Sequence, residues 1–142
     1  MKLEEIQEMS EIDLKIDKSD LSESTIKTPL MVHKYYMILI EEGRILKALE
    51  LKLLELYKER YDFYLHLAPP EAYVEEPFNR KVLKGDVDMY ISADKKYASM
   101  VNKIETQKYK VKFLEEIIKQ FNNRNFTIKH ILDDLKFKNG GF

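Results

Sequence analysis

The sequence has no cysteine. That excludes disulfides and any thiolate-held metal, and it fits a reducing compartment. Glycine and proline number four each. Between Pro29 and Leu67 the only glycine is Gly43, and no proline follows Pro29. No apolar run approaches the ~18 residues of a membrane span, and the N-terminus is too acidic for a signal peptide. A soluble, cytosolic chain is expected. The motifs GxxxxGK[ST], GxGxxG and GxSxG do not occur, so no phosphate-cradling loop or nucleophile elbow is expected. His33, His66 and His130 fall in different elements. His130 with Asp133 or Asp134 has the spacing of a two-ligand metal site on a helix, but a solvated surface pair is the simpler reading. The carboxylates Glu75, Glu76, Asp86 and Asp88 lie on a connector where nothing fixes their separation. Neither an enzyme nor a cofactor is expected.

What is present is charge and helical periodicity. Charged residues make up 35% and hydrophobic residues 44% of the 142 positions, a composition that suits a helical or coiled-coil protein. The formal net charge is −1, but it is unevenly spread. Residues 1–28 carry eight acids against four lysines, and residues 95–138 carry eleven bases against five acids. A basic surface beside an acidic arm is the expectation.

Residues 29–67 are rich in Leu, Lys, Glu, Ile and Tyr and predict one long helix, opened by Pro29 in its first turn. Such a helix would run about 58 Å. Its seam reads Val32, Tyr35, Leu39, Glu42, Leu46, Leu49, Leu53, Leu56, Arg60, Phe63, Leu67, a heptad pattern interrupted by two charges. Leu51, Leu54, Tyr57, Tyr61 and Tyr64 widen the apolar surface beyond one seam, which calls for more than one partner helix. Before it, residues 1–14 suggest a short acidic amphipathic helix and residues 15–28 a linker or an N-capping region. After it, residues 68–91 read as a connector with brief extended pieces at Tyr73–Val74 and Met89–Ile91. Ser92 is the expected cap of a second helix over 93–122. There Tyr97, Ile104, Val111 and Ile118 are spaced by seven, as are Met100, Gln107, Leu114 and Phe121, with Gln107 a polar residue able to fix register. Asn122–Asn125 is expected to end it. A short third helix over 127–138 follows, with Phe126, Ile128, Ile131, Leu132, Leu135 and Phe137 as its apolar members, and Gly140–Gly141 after it.

The candidate site is Tyr57-Lys58-Glu59-Arg60-Tyr61-Asp62-Phe63-Tyr64. Lys58 and Arg60 can neutralise phosphates while the rings offer faces for bases, which is how single strands are held without sequence preference. The competing reading makes the rings core and the cations a solvated face. Glu59 and Asp62 soften the field, so a weak site would depend on repetition in an oligomer.

That segment, together with Ile91-Ser92-Ala93-Asp94-Lys95, Phe126-Thr127-Ile128-Lys129-His130-Ile131 and the opening Met1-Lys2-Leu3-Glu4-Glu5-Ile6-Gln7-Glu8, resembles the phage recombination mediators of the UvsY family (T-even-like phages). The matches run in one order over nearly the whole chain. The resemblance implies a small all-α protein that binds single-stranded DNA, assembles into a homo-oligomeric ring, and works in the cytoplasm of the infected bacterial host. Its implied partners are a RecA-like phage recombinase and the phage single-strand-binding protein. The family's Lys-Ala-Arg motif maps onto Lys58 and Arg60, with Tyr57 and Tyr61 in place of leucines and Glu59 in place of alanine.

The expected architecture is all-α: a long antiparallel helical hairpin with short flanking helices, closed into a hexameric or heptameric ring. One helical domain spans 1–142, with an acidic arm (1–28), the long helix (29–67), a connector (68–91) and a C-terminal oligomerisation region (92–142). Lys58, Arg60, Tyr57, Tyr61, Tyr64 and Lys52 are the expected DNA contacts, with Lys47 extending the track. Tyr97, Met100, Ile104, Val111, Leu114, Ile118, Phe121, Ile128 and Ile131 are the expected oligomerisation residues. A coiled-coil scaffold that binds only proteins, with Arg60 as a buried register-setting charge, is the alternative.

Overall fold

A computed structural model describes residues 1–140, so Gly141 of the Gly140–Gly141 pair lies outside the described residues. The described residues form five α-helices: α1 (Leu3–Asp13), α2 (Leu21–Tyr64), α3 (Pro70–Glu75), α4 (Val87–Ser92) and α5 (Lys95–Lys138), with a 3-10 turn at Lys84–Asp86 before α4. The chain is all-α, and no strand occurs among the described residues.

Several boundaries differ from expectation. Helix α2 starts eight residues before Pro29, at Leu21. Asp20 caps it, its carboxylate accepting from the Glu23 N–H at 3.0 Å, the geometry that satisfies an orphan donor of the first turn. Pro29 therefore sits inside the helix, where it has no N–H to give. The tail of α2 stops at Tyr64 rather than Leu67. His66 takes a left-handed φ of 60°, its N–H reaches the Phe63 carbonyl at 3.1 Å, and the Leu67 N–H reaches the Asp62 carbonyl at 2.8 Å. That paired closure is a Schellman motif.

The two extended pieces are absent: Tyr73–Val74 lies in α3 and Met89–Ile91 in α4. Asp94, not Ser92, caps the last long helix, accepting from the Tyr97 N–H at 2.9 Å. That helix also runs unbroken through Asn122–Asn125. Tertiary contacts account for this. Asn125 accepts from the Thr28 hydroxyl at 3.0 Å, Arg124 is buried, and Phe121 and Ile128, seven apart on one face, are both buried. Asparagine is a poor helix former by only a few tenths of a kcal/mol, and burial of that face outweighs it.

The chain packs as two compact units. The first comprises Met1–Gly43 and the chain from Tyr109 onward. Its core is Ile6 of α1, Tyr35 of α2, and Leu114, Ile117 and Phe121 of α5, with Met9, Met31, Leu39 and Phe113 packed around them. The α2 and α5 stretches are antiparallel there: Thr28 meets Asn125, Tyr35 packs against Phe121 with tilted rings 5.1 Å apart between centroids, and Glu42 meets Lys110 at 3.4 Å. Buried Glu42, one of the two charges breaking the seam, thus has a cation facing it. The acidic arm is held by Asp13, whose carboxylate accepts from Lys34 at 2.7 Å and from the Tyr35 hydroxyl at 2.8 Å. Burial alone would raise the Asp13 pKa. The Lys34 and Tyr35 hydrogen bonds outweigh it and hold the group below its ordinary value.

The second unit is Arg44–Lys108. Phe63, Tyr64, Val82, Val87 and Ile91 form its core, closed by Tyr73, Phe78, Tyr90 and Tyr97. The connector is thus an ordered cover over the end of α2. Phe63 stacks on Tyr73 at 5.0 Å, and the Tyr73 hydroxyl donates to the Phe63 carbonyl at 2.8 Å.

Candidate nucleic-acid interface

The Tyr57–Tyr64 segment forms the last two turns of α2, within the second unit. Helix geometry splits it. Successive residues turn by about 100°, so Lys58 and Arg60 lie about 200° apart and cannot share a face.

Arg60 takes the inward face and is only 2% exposed. Its Nε donates to Asp94 at 2.7 Å, its Nη2 to Glu76 at 2.6 Å and to Asp94 at 2.7 Å, and its Nη1 to Glu76 at 3.4 Å. The guanidinium also lies over the rings of Phe63 and Tyr64, 4.2 and 5.2 Å from their centroids. Tyr64, likewise buried, donates its hydroxyl to Asp94 at 2.7 Å. Burial raises the Tyr64 pKa, and the Asp94 hydrogen bond raises it further. Asp94 would also be raised by burial, but hydrogen bonds from Tyr64 and the Tyr97 N–H, with the Arg60 charge, hold it below the usual carboxylate value. For Arg60 burial alone lowers the pKa, and its two carboxylates more than reverse this. Arg60 and Tyr64 were expected to touch DNA. In this fold their donors are spent on carboxylates and their surfaces are enclosed.

Lys58 takes the outward face, its side chain 74% exposed. It pairs with Asp62 at 2.6 Å across one helical turn, an ion pair worth only ~0.3–0.5 kcal/mol at a surface and easily exchanged for a phosphate. On the same side of α2 lie exposed Leu51 and Leu54, with half-buried Tyr61 at the edge of that face and exposed Tyr57 further round the helix. The Tyr57 and Tyr61 rings stand 6.3 Å apart at 29°. Tyr57 donates its hydroxyl to Asp88 of α4, which raises its pKa and fixes the ring. Lys52 and Lys47 are exposed further back along α2. The structure therefore leaves Lys58 exposed and encloses Arg60 and Tyr64; Tyr57, seven residues before Tyr64, lies on the Tyr64 side of the helix and turns to Asp88 and Tyr97, with Tyr61 beside it. Leu51 and Leu54 share the Lys58 face, as their i−7 and i−4 spacing from Lys58 indicates.

The expected oligomerisation residues divide in the same way. Ile104, Leu114, Phe121 and Ile128 are buried within their own chain, so their apolar surface is consumed by intramolecular packing. Tyr97, Met100, Val111, Ile118 and Ile131 are half-buried, with Tyr97 and Ile118 packed against the two cores. Exposed apolar surface on α5 is instead at Tyr109, Phe126, Leu132, Leu135 and Phe137.

Among the described residues no group of three or more His, Cys, Asp or Glu side chains could hold a metal ion, and no helix is long and apolar enough to cross a membrane. Asp134 pairs with Lys138 at 2.9 Å.

Comparison with known proteins places this geometry. A family model described as "Recombination, repair and ssDNA binding protein UvsY" matches residues 9–141. No curated protein matches the sequence. Three crystal forms of the bacteriophage T4 recombination mediator protein UvsY share the fold. At 20%, 22% and 20% identity their TM-scores are 0.79, 0.83 and 0.82, covering 97%, 97% and 94% of this chain and 99%, 98% and 98% of theirs.

Proposed function

Because this chain belongs to the UvsY family of recombination, repair and single-stranded-DNA-binding proteins, we propose that it is a recombination mediator. It binds single-stranded DNA and helps load a RecA-like recombinase onto strands covered by a single-strand-binding protein. The observation that carries this reading is the outward face of α2. An exposed cation, Lys58, shares that face with exposed Leu51 and Leu54, with Tyr61 at its edge, the pairing of a phosphate-neutralising charge with surfaces on which bases rest. Arg60 and Tyr64 hold that face in place from beneath and touch no DNA.

One lysine per chain is a weak site, and Glu55, Glu59 and Asp62 lie nearby in the sequence. Strong binding therefore requires repetition, and the proposal includes a homo-oligomeric ring of six or seven subunits in which the Lys58 faces act together. Wrapping the strand over such faces loosens the single-strand-binding protein and leaves the bases accessible to an incoming recombinase. The mediator itself uses no cofactor, since nucleotide hydrolysis belongs to the recombinase. Its site of action is the cytoplasm of the infected bacterial host.

The test is titration of a fluorescent single-stranded oligonucleotide at several salt concentrations. Wild type binds with a steep salt dependence. Lys58→Ala weakens binding and lowers the salt slope by about 0.7 for each phosphate that is no longer neutralised. Absence of binding at low salt, by protein shown to be folded and oligomeric, would instead establish a scaffold that binds only proteins.

A further inference from the structure

The first unit contains a charge that the DNA-binding face does not use. Arg124 on α5 is 5% exposed. Its Nη2 donates to the Lys15 carbonyl at 2.7 Å, while Nε and Nη1 are buried without any hydrogen-bond partner. A buried guanidinium with unmatched donors loses hydration it does not regain, and native proteins rarely leave such groups unexplained.

The carboxylates near it are committed elsewhere. Asp13 accepts from Lys34 and Tyr35, and Asp17 accepts from the backbone N–H and hydroxyl of Ser19. With Lys15, Lys27 and Arg124, these two acids line a cleft on one side. On the other side Arg124 lines a cleft of about 310 Å³ with Leu14, Ile16, Gln120, Asn123 and Thr127. No carboxylate lines this second cleft. Gln120, Asn123 and Thr127 supply neutral amide and hydroxyl donors around the single cation. Burial lowers the Arg124 pKa, and only the field of Asp13 opposes it, as expected for a cation short of a counter-charge.

We propose that this second cleft is an oxyanion site that takes a phosphoryl group, with Arg124 as its anchor and Asn123, Gln120 and Thr127 as further donors. A tetrahedral phosphoryl group offers acceptors in several directions, matching donors spread over a cation, two amides and a hydroxyl. The cleft is larger than a bare phosphate ion, so either free phosphate or a phosphodiester of bound DNA fits. Only the second source rests on the DNA-binding reading.

The experiment follows thermal unfolding of the full chain in inorganic phosphate against chloride at matched ionic strength. Wild type gains a saturable rise in Tm from phosphate alone, because a ligand that binds the folded state stabilises it by mass action. Arg124→Met loses that rise. Asn123→Asp keeps Arg124 and its fold but sets a carboxylate in the cleft, and it weakens the phosphate response about tenfold, the size of one charge-assisted hydrogen bond. Lys58→Ala retains the phosphate rise whatever happens to DNA binding, which separates the two readings.

The same melts with a short single-stranded oligonucleotide identify the source. If Arg124→Met also loses stabilisation by the oligonucleotide, the site takes a strand phosphate. If it loses only the phosphate response, the site takes the free ion. A wild-type melt that responds to phosphate no more than to chloride, or a response that survives in both Arg124→Met and Asn123→Asp, overturns the site.

Discussion

Two residues apart, Lys58 and Arg60 have opposite fates, and substitutions should separate them. Arg60→Ala leaves Asp94 buried without its cation and leaves Glu76 only its longer contact with Lys96. Breaking a buried pair by removing one member costs about 3–5 kcal/mol, so Arg60→Ala should lower the urea midpoint sharply, and its loss of DNA binding should track unfolding. Lys58→Ala should leave stability within about 0.5 kcal/mol of wild type while lowering DNA affinity. Asp94 also sets an acid limit. Its folded pKa is lowered, so its contribution is fully present above the unfolded carboxylate value of about 3.9. It is lost as pH falls through that value and on through the folded one. Urea midpoints measured against pH should therefore be flat above about pH 5 and fall below about 4. Asp94→Asn should be less stable at neutral pH and show a shallower acid decline. Asp13 shifts in the same direction, so the decline is not abolished.

The ends and interruptions of elements carry their own tests. Pro29 lies inside α2, where proline costs up to about 3 kcal/mol relative to alanine. Pro29→Ala should raise stability by about 1–3 kcal/mol in chemical denaturation. At the other end of α2, His66 holds a left-handed backbone, at a cost of about 1–2 kcal/mol for a non-glycine residue. The imidazole is retained because its ring stacks on Tyr73 and Phe78 at 5.5 and 5.6 Å, and its Nε2–H donates to the Arg80 carbonyl at 2.8 Å. His66→Ala keeps the strain and removes the stacking and the hydrogen bond, so it should destabilise by about 1–2 kcal/mol. His66→Gly removes them too but relieves the strain, and should melt above His66→Ala. Asn122–Asn125 shows why such local signals mislead. The run of asparagines predicted a helix end, but the partners of Arg124 and Asn125 lie far back in the sequence, 109 and 97 residues away.

For the whole molecule, the spacing of Leu114 and Phe121 recorded real packing but not its partner. A heptad repeat states that a face is covered, and here the cover is the chain's own α1 and α2. The apolar residues left exposed near the end of α5 are Leu132, Leu135 and Phe137. If assembly uses that stretch, Leu132→Lys with Leu135→Lys should reduce the mass measured by light scattering without unfolding the chain. DNA affinity should then fall by ~10²-fold or more, because multivalency disappears with the assembly.

The sequence by itself determined the all-α class, the two long amphipathic stretches, the short acidic first helix and the segment in which the candidate site lies. Each rests on a periodicity or composition contained within a few turns of chain, where neighbours in sequence are neighbours in space. It also held the 100° rotation per residue that separates Lys58 from Arg60. Which of the two faces inward was decided only by tertiary structure. The carboxylates that enclose Arg60, Glu76 and Asp94, stand 16 and 34 residues away, and no local pattern announces partners at that distance. The ordering of the connector over Phe63 and the isolation of Arg124 have the same origin. A buried charge is defined by what surrounds it, and in this protein the surroundings come from distant parts of the chain.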